Sequence, residues 1–226
     1  MKYIKTDTEY EPKITGSPNG VYSVEIKEKK SFKSKGERNY FNEFVKKNNE
    51  DIRRVYEQNF VKIDNKRITE IIYFPSYKKA KNIDVVQYRP FQMGFQLLIS
   101  EKAYEILKKY RIPAYNIIPS KIETFDKKYF MIGFSMIENK NIDFNKSKFY
   151  DFKLEKEIVY KNNNDYAEIN FSRYPLETYL KERYNYDIIN LQGEGIYFSE
   201  DLITALEKNG IIGFVRKKSI LYNETE

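Results

Sequence analysis

The chain contains no cysteine, no histidine and no tryptophan. Without cysteine there is no disulfide, no thiolate nucleophile and no Cys-based zinc or iron–sulfur site. Without histidine there is no Ser-His-Asp triad, no H-E-x-x-H zinc site and no imidazole base for work near neutral pH. Chemistry by this chain would rest on carboxylates, Lys, Tyr or Ser. Gly and Pro are sparse, at 9 and 7 of 226 residues, which excludes a low-complexity linker composition. No run approaches the ~18 apolar residues of a membrane span, and the opening MKYIKTDTEY lacks a hydrophobic segment of the secretory kind. The expectation is a cytoplasmic protein that does not enter a membrane.

What is present reads as a globular chain. Hydrophobic residues make up 41% and charged residues 32%, a balance too apolar for disorder. The formal charge is +7, which points to nucleic acid, an anionic membrane or an acidic protein as a partner class. The basic residues are mixed with acids rather than stacked in one block, so background composition is the simpler reading. The densest stretch is Lys27–Arg38, KEKKSFKSKGER, with six positive and two negative residues.

The hydrophobic pattern predicts an α+β fold with a mixed or antiparallel sheet and short helices. Strands are expected at Val21–Lys27, Ile68–Phe74 and Ile83–Tyr88, and one or two helices over residues 40–59. The second half predicts strands at Gln96–Ile99, Tyr115–Ile122, Tyr129–Met136, Ile158–Tyr160, Tyr166–Phe171, Ile196–Phe198 and Ile212–Arg216. Helices are expected at Glu101–Tyr110, from Pro175 to about Tyr184, where Pro suits a first turn, and at Glu200–Lys208. The domain reading is a β-rich N-terminal subdomain, 1–90, and a C-terminal domain, 91–226, with the tail YNETE frayed.

The C-terminal part contains an internal repeat. Residues 94–115 superpose on 193–214 with a shift of 99 positions, with identities at Gly94/Gly193, Ser100/Ser199, Glu101/Glu200, Leu107/Leu206, Lys109/Lys208 and Ile112/Ile211. Each copy reads as a short strand ending in Ser, then an amphipathic helix, then a strand, and both units are expected to share one core. The Ser hydroxyl accepts from free N–H groups of the first helical turn, and the acid that follows suits the helix dipole. Ser100 and Ser199 are thus predicted caps, and Gly210 a left-handed C-terminal cap that the first copy lacks. A nucleophilic role for the Ser-Glu pair would need a general base, and none is in reach of the pattern.

The pattern strand–Ser-Glu–helix–N-G-I-x-G–strand, as in YFSEDLITALEKNGIIGFVR, resembles a widespread bacterial family. That family is a former domain of unknown function later grouped with the immunity proteins of polymorphic toxin systems. The likeness covers mainly residues 91–216. It implies a cytoplasmic protein that binds and blocks a cognate toxin domain, with no catalytic residues to carry over. An inhibitor of a nucleic-acid-cleaving toxin is ordinarily acidic, to mimic phosphate; this chain is basic, so either the toxin presents an acidic surface or the contact patch differs locally from the average.

Two chemical readings compete. Gly193–Ser199, GEGIYFS, is similar to the G-x-G-I-Y-F signature of poly-ADP-ribose polymerase-type transferases, where a Tyr and a His hold the nicotinamide cofactor. Tyr197 would be the stacking Tyr, but the His is missing. Glu25-Ile26-Lys27 with Asp7 as a distant acid has the spacing of a D…(D/E)-x-K metal nuclease, but alternating charge on a solvated strand face is the simpler reading and is preferred. The reading adopted is a non-enzymatic immunity-type protein with a protein partner. It assigns no catalytic, cofactor or metal residues and no contact residues. A nucleic-acid-binding protein with a basic, Tyr-rich surface and a carboxylate–metal nuclease are the alternatives.

Overall fold

The computed structural model describes residues 2–168 and 173–223. It has an α+β fold, with five helices and 14 strands among the described residues. The first strands and helices are β1 (Lys2–Thr8), α1 (Pro12–Thr15), β2 (Val24–Ile26), α2 (Lys35–Glu50), β3 (Ile71–Pro75), β4 (Val85–Val86) and β5 (Tyr88–Arg89). The first repeat follows as β6 (Leu97–Ser100), α3 (Glu101–Leu107) and β7 (Tyr115–Ile122), then β8 (Lys128–Phe134). The remainder is β9 (Lys148–Asp151), β10 (Lys156–Ile158), α4 (Asn163–Glu168), β11 (Arg173–Tyr179), β12 (Ile188–Leu191), β13 (Gly195–Ser199), α5 (Glu200–Lys208) and β14 (Phe214–Tyr222).

The chain folds as two compact units, each interrupted in sequence. One comprises residues 8–135 and 205–215; the other comprises 1–7, 136–204 and 216–226. A boundary at residue 90 does not separate them, because β2 and β3 share a sheet with β6, β7 and β8. The two repeat copies do not share one sheet: β6 and β7 belong to one seven-stranded sheet, β13 and β14 to the other.

In the unit built around residues 8–135, the sheet order is β4-β6-β8-β7-β3-β2-β5. The terminal members β4 and β5 are consecutive in sequence and meet at Gln87, whose carbonyl accepts from the Val24 N–H at 3.1 Å. Helix α2 covers this sheet. Ser34 caps that helix by accepting from the Glu37 N–H at 3.1 Å. Phe41, Phe44, Val45 and Asn48 recur at helical spacing and are buried, and the three apolar ones join Val24, Ile71, Tyr73, Leu98, Ile118 and Met131 in a core. Each such side chain contributes about 1.5–3 kcal/mol by burial. The helix starts five residues before the expected residue 40 because this cap lies upstream of the apolar stripe.

In the other unit the order is β12-β13-β1-β14-β11-β9-β10. Six positions match the first sheet one for one: β12 with β4, β13 with β6, β1 with β8, β14 with β7, β11 with β3 and β9 with β2. The sense of pairing matches wherever both are defined. β12–β13 and β4–β6 are antiparallel, as are β13–β1 and β6–β8; β14–β11 and β7–β3 are parallel; β11–β9 and β3–β2 are antiparallel. The register matches too. Ser199 stands opposite Tyr3, and Ser100 opposite Tyr129. The Tyr3 hydroxyl donates to the Tyr186 carbonyl at 2.5 Å, and that of Tyr129 reaches the equivalent Ile83 carbonyl at 2.8 Å. Over these six strands the chain order differs only by rotation: the strand that follows β7 in one unit is, in the other, the N-terminal strand of the protein. The seventh strands differ, since β5 follows β4 and pairs parallel with β2, while β10 follows β9 and pairs antiparallel with it. Over six of seven strands the two units are circular permutants of one sheet, so the repeat is much larger than its 22-residue signature.

Three expectations are corrected. Pro175 begins no helix: it sits in β11, opposite Phe149, at a register shift between Pro175 and Glu177. A bulge tolerates the missing N–H there. Residues 163–168 form α4, so the strand expected at Tyr166–Phe171 is helical in its first part, and residues 169–172 lie outside the described residues. Strand β14 runs on to Tyr222, so the chain remains paired further than expected, and the rest of the tail is outside the described residues.

The permutation makes β1 an internal strand, flanked by β13 and β14. Deleting residues 1–8 is expected to unfold this sheet, seen as loss of slow amide exchange in β12 and β13. Restoring the same residues behind Glu226 is expected to recover that protection, since five residues, 123–127, suffice to join β7 to β8. Retained protection in the deletion would refute the correspondence.

Candidate functional site

The repeated Ser-Glu motif is built into helix starts. Ser100 Oγ accepts from the Ala103 N–H at 3.2 Å and Ser199 Oγ from the Leu202 N–H at 3.3 Å. Both residues are buried. Gly210 has φ +65°, and the N–H groups of Gly210 and Ile211 return to Glu207 O and Leu206 O at 2.9 and 3.0 Å, closing the end of α5. The second glycine of N-G-I-x-G has a different task. A Cβ on Gly213 would lie 2.2 Å from Val85 O, so only glycine allows this approach to β4. The first copy stops its helix by tight turns, Lys109 N–H to Ile106 O and Tyr110 N–H to Leu107 O, at 3.1 and 3.0 Å.

One further residue belongs to the motif. Asp84 O accepts from the Ser100 N–H at 2.7 Å, and Asp187 O from the Ser199 N–H at 2.9 Å. In sequence these are Asp84-Val85-Val86 and Asp187-Ile188-Ile189, lying 16 and 12 residues before their serines. Asp84 is the hub of its unit. Its Oδ1 accepts from Ser100 Oγ at 2.9 Å and from Lys127 Nζ at 3.0 Å, and its Oδ2 accepts from the Ile212 N–H at 3.1 Å. Burial pushes this carboxyl up, but the Ile212 N–H, Lys127 and Ser100 outweigh it and hold the group below the usual carboxylate range. A cleft of about 550 Å³ opens beside it, lined by Asp84, Glu101, Lys102, Asp126, Lys127 and Lys128 among others. Two of its bases are paired with acids, Lys127 with Asp84 and Lys128, 3.7 Å away, with Glu101, while Lys102 donates to the Asn209 carbonyl at 2.6 Å.

The other unit buries Glu194. Tyr166 donates to its Oε1 at 3.0 Å, and Thr178 and Tyr197 donate to its Oε2 at 3.0 and 2.8 Å. Burial raises this carboxyl above its ordinary value, with the Tyr197 and Tyr166 hydroxyls opposing. Arg173 lies with its guanidinium 3.4 Å from the centre of the Tyr166 ring. The cluster is a saturated interior network without an opening among the cavities described.

The remaining sequence candidates separate. Tyr197 is fully buried, and its hydroxyl is shared between Glu194 and Ser219 Oγ, 3.1 Å away, so no ring face is open to a nicotinamide. Glu25 pairs with Arg89 at 2.5 Å and with Lys27 at 3.6 Å. Asp7 belongs to the other unit and pairs with Lys217 at 3.7 Å. Among the described residues no three Asp or Glu side chains converge as a metal-binding group.

The charge, by contrast, is strongly partitioned. The unit around residues 8–135 holds 26 Lys and Arg against 17 Asp and Glu, a net of +9, and the other holds 14 against 16, a net of −2. Residues 27–81 alone carry 16 basic and 8 acidic residues. They comprise α2, β3 and the turns that join and follow them. A concavity of about 330 Å³ at the start of α2 is lined by Lys29, Lys33, Lys35 and Arg38 with Glu28 the one acid. A second, of about 240 Å³ further along the helix, is lined by Lys47, Arg54, Lys62 and Arg67 with Glu43. The acid of α2's first turn is withdrawn: Glu37 accepts from Thr69 Oγ1 at 2.7 Å and from the Lys33 N–H at 3.2 Å. The linear sequence marked only the first of these clusters; Arg54, Lys62 and Arg67 join the surface through folding. Compared with known proteins, the chain matches no family model and no curated protein.

Asp84 gives a signed prediction. A carboxylate held below its unfolded value stabilises the fold above that value, and the contribution fades as pH falls through the folded one. Asp84→Asn is expected to cost about 2 kcal/mol near pH 7. The deficit should shrink below about pH 4, where the unfolded-state Asp is itself protonated. Urea unfolding of both proteins at the two pH values checks this; an unchanged deficit would remove the charge as its cause.

Proposed function

We propose that this protein is a non-enzymatic, immunity-type binding protein that sequesters a bacterial toxin domain. The observation that carries the reading is the use made of the strand–Ser-Glu–helix–N-G-I-x-G signature. Both serines are spent on helix N–H groups, the glycines on chain geometry, and the acidic hubs Asp84 and Glu194 on interior bonds. The buried polar groups of the motif thus serve the scaffold, which leaves the exterior to recognise a partner. In such a protein the fold is generic and specificity lies in surface charge and shape. The uneven charge of the two units fits that division.

The test uses the gene next to this one in its native genome. The C-terminal tip of a large secreted protein encoded there is expressed in a sensitive bacterium, with and without this chain. The expected outcome is growth arrest by the tip alone, rescue by co-expression and a stoichiometric complex on gel filtration. Arrest that co-expression leaves untouched would overturn the proposal.

A further inference from the structure

The basic surface around α2 has the features of a docking face for an acidic protein. Along the helix basic and acidic residues balance, and the excess lies at its start. Lys46 and Lys47 are paired with Glu50 and Glu43 at 3.6 and 2.8 Å, and Arg53 with Asp51 at 2.7 Å. Lys29, Lys33 and Lys35 are exposed and stand together around one concavity whose lining includes a single acid. Four like charges held around a pit are mutually repulsive, and an anionic visitor relieves that repulsion. The helix terminus itself supplies nothing, since Ser34 and Glu37 already engage N–H groups there.

The shape and the aromatics choose between anions. Binding of single-stranded nucleic acid stacks bases on open aromatic faces. Here Phe32 is buried, the Tyr40 ring is covered by the Arg67 guanidinium 3.7 Å from its centre, and Tyr40 Oη accepts from the Asp64 N–H at 2.9 Å. The exposed Tyr10 and Tyr22 line a separate, mostly apolar hollow without a basic residue. The two basic concavities, about 330 and 240 Å³, are separate pits sized for side chains, not one track for a phosphate backbone.

We propose that the α2 face receives an acidic surface of a partner protein, with Lys29, Lys33, Lys35 and Arg38 seating its carboxylates. This rests on the reading of the chain as a binding protein and names the face that carries it. It also accounts for the sign of the charge: the partner supplies the acid and the inhibitor the base.

The experiment measures anisotropy of a fluorescein-labelled Glu/Asp peptide of about twelve residues, and of a labelled DNA duplex, against the full chain at about 50 mM salt. The variants are Lys29→Glu/Lys33→Glu/Lys35→Glu, the same three changed to Gln, and Lys153→Glu/Lys156→Glu/Lys161→Glu as an exposed control in the other unit. The peptide is expected to lose about tenfold or more in affinity with the first variant, several-fold with the Gln variant and less than about twofold with the control. Equal losses in patch and control variants overturn the assignment. Duplex DNA held more tightly than the peptide overturns it too, and reassigns the face to nucleic acid. The co-expression assay separates the two proposals. Rescue by the wild type and equally by the Lys→Glu patch variant refutes the face and leaves the function standing. No rescue by the wild type refutes the function, while the peptide titration still reads the face.

Discussion

The strand–helix–strand crossover imposes one demand on each sheet. It returns the chain two places away, so that β6 and β7, and likewise β13 and β14, stand with a gap one strand wide between them. Backbone N–H and C=O groups facing that gap cannot remain buried and unpaired. An additional strand must enter it. In one unit the chain that leaves β7 turns back and fills the gap as β8, pairing from Leu97↔Ile132 to Ser100↔Tyr129. In the other the gap is filled by β1, from Tyr3↔Ser199 to Thr6↔Ile196. The same tyrosine follows in both, because a hydroxyl at that register reaches the carbonyl just before the motif's aspartate. The identity of the filling strand is free; its direction and register are not. That freedom is what allows two sheets of one plan to be threaded in rotated order.

This also explains which parts of the fold were legible in sequence. Local chemistry was: a Ser cap, an Asn-Gly stop and a helical stripe each act within a few residues, and Tyr115–Ile122 and Glu200–Lys208 match the structure residue for residue. Non-local pairing was not. Lys2–Thr8 alternates only weakly, KYIKTDT, and becomes an internal strand because of residues almost 200 positions away. The aspartate of the motif escaped notice because a fixed shift of 99 cannot align loops that differ by four residues. At Pro175 a sound local rule for helix starts lost to β9 and β14 on either side. The Glu194 network was invisible for the same reason, since Tyr166, Thr178, Tyr197 and Ser219 meet only in the fold.

The two buried acids show how far the units have diverged beneath their shared plan. Asp84 is met by a cation and a backbone N–H, and its proton is bound less tightly than in water. Glu194 is met chiefly by hydroxyls, and burial prevails, so its proton is held more tightly. Their contributions to stability therefore run in opposite directions with pH: that of Asp84 fades on acidification through its lowered value, that of Glu194 fades as pH rises through its raised one. The sheet tolerates both solutions because neither carboxylate lies in the strand ladder itself.

Divergence is larger still on the outside. The strands constrain which side chains point inward, and the caps constrain a handful of polar positions; α2 and the segments around it meet the core only through Phe41, Phe44, Val45 and a few neighbours. Their outer faces are free to vary without disturbing the sheet, and that is where the positive excess accumulates, while the sister unit carries a slight negative balance. Random drift in a lysine-rich composition would raise both units alike. More than half of the difference of eleven charges instead lies between corresponding strands: residues 27–70, between β2 and β3, hold 13 basic and 8 acidic residues, a net of +5, and residues 152–172, between β9 and β11, hold 3 and 4, a net of −1; the first segment contains the 16-residue α2 where the second has the six-residue α4. The charge thus tracks an addition to the scaffold rather than the scaffold itself, which is where a binding protein acquires its partner.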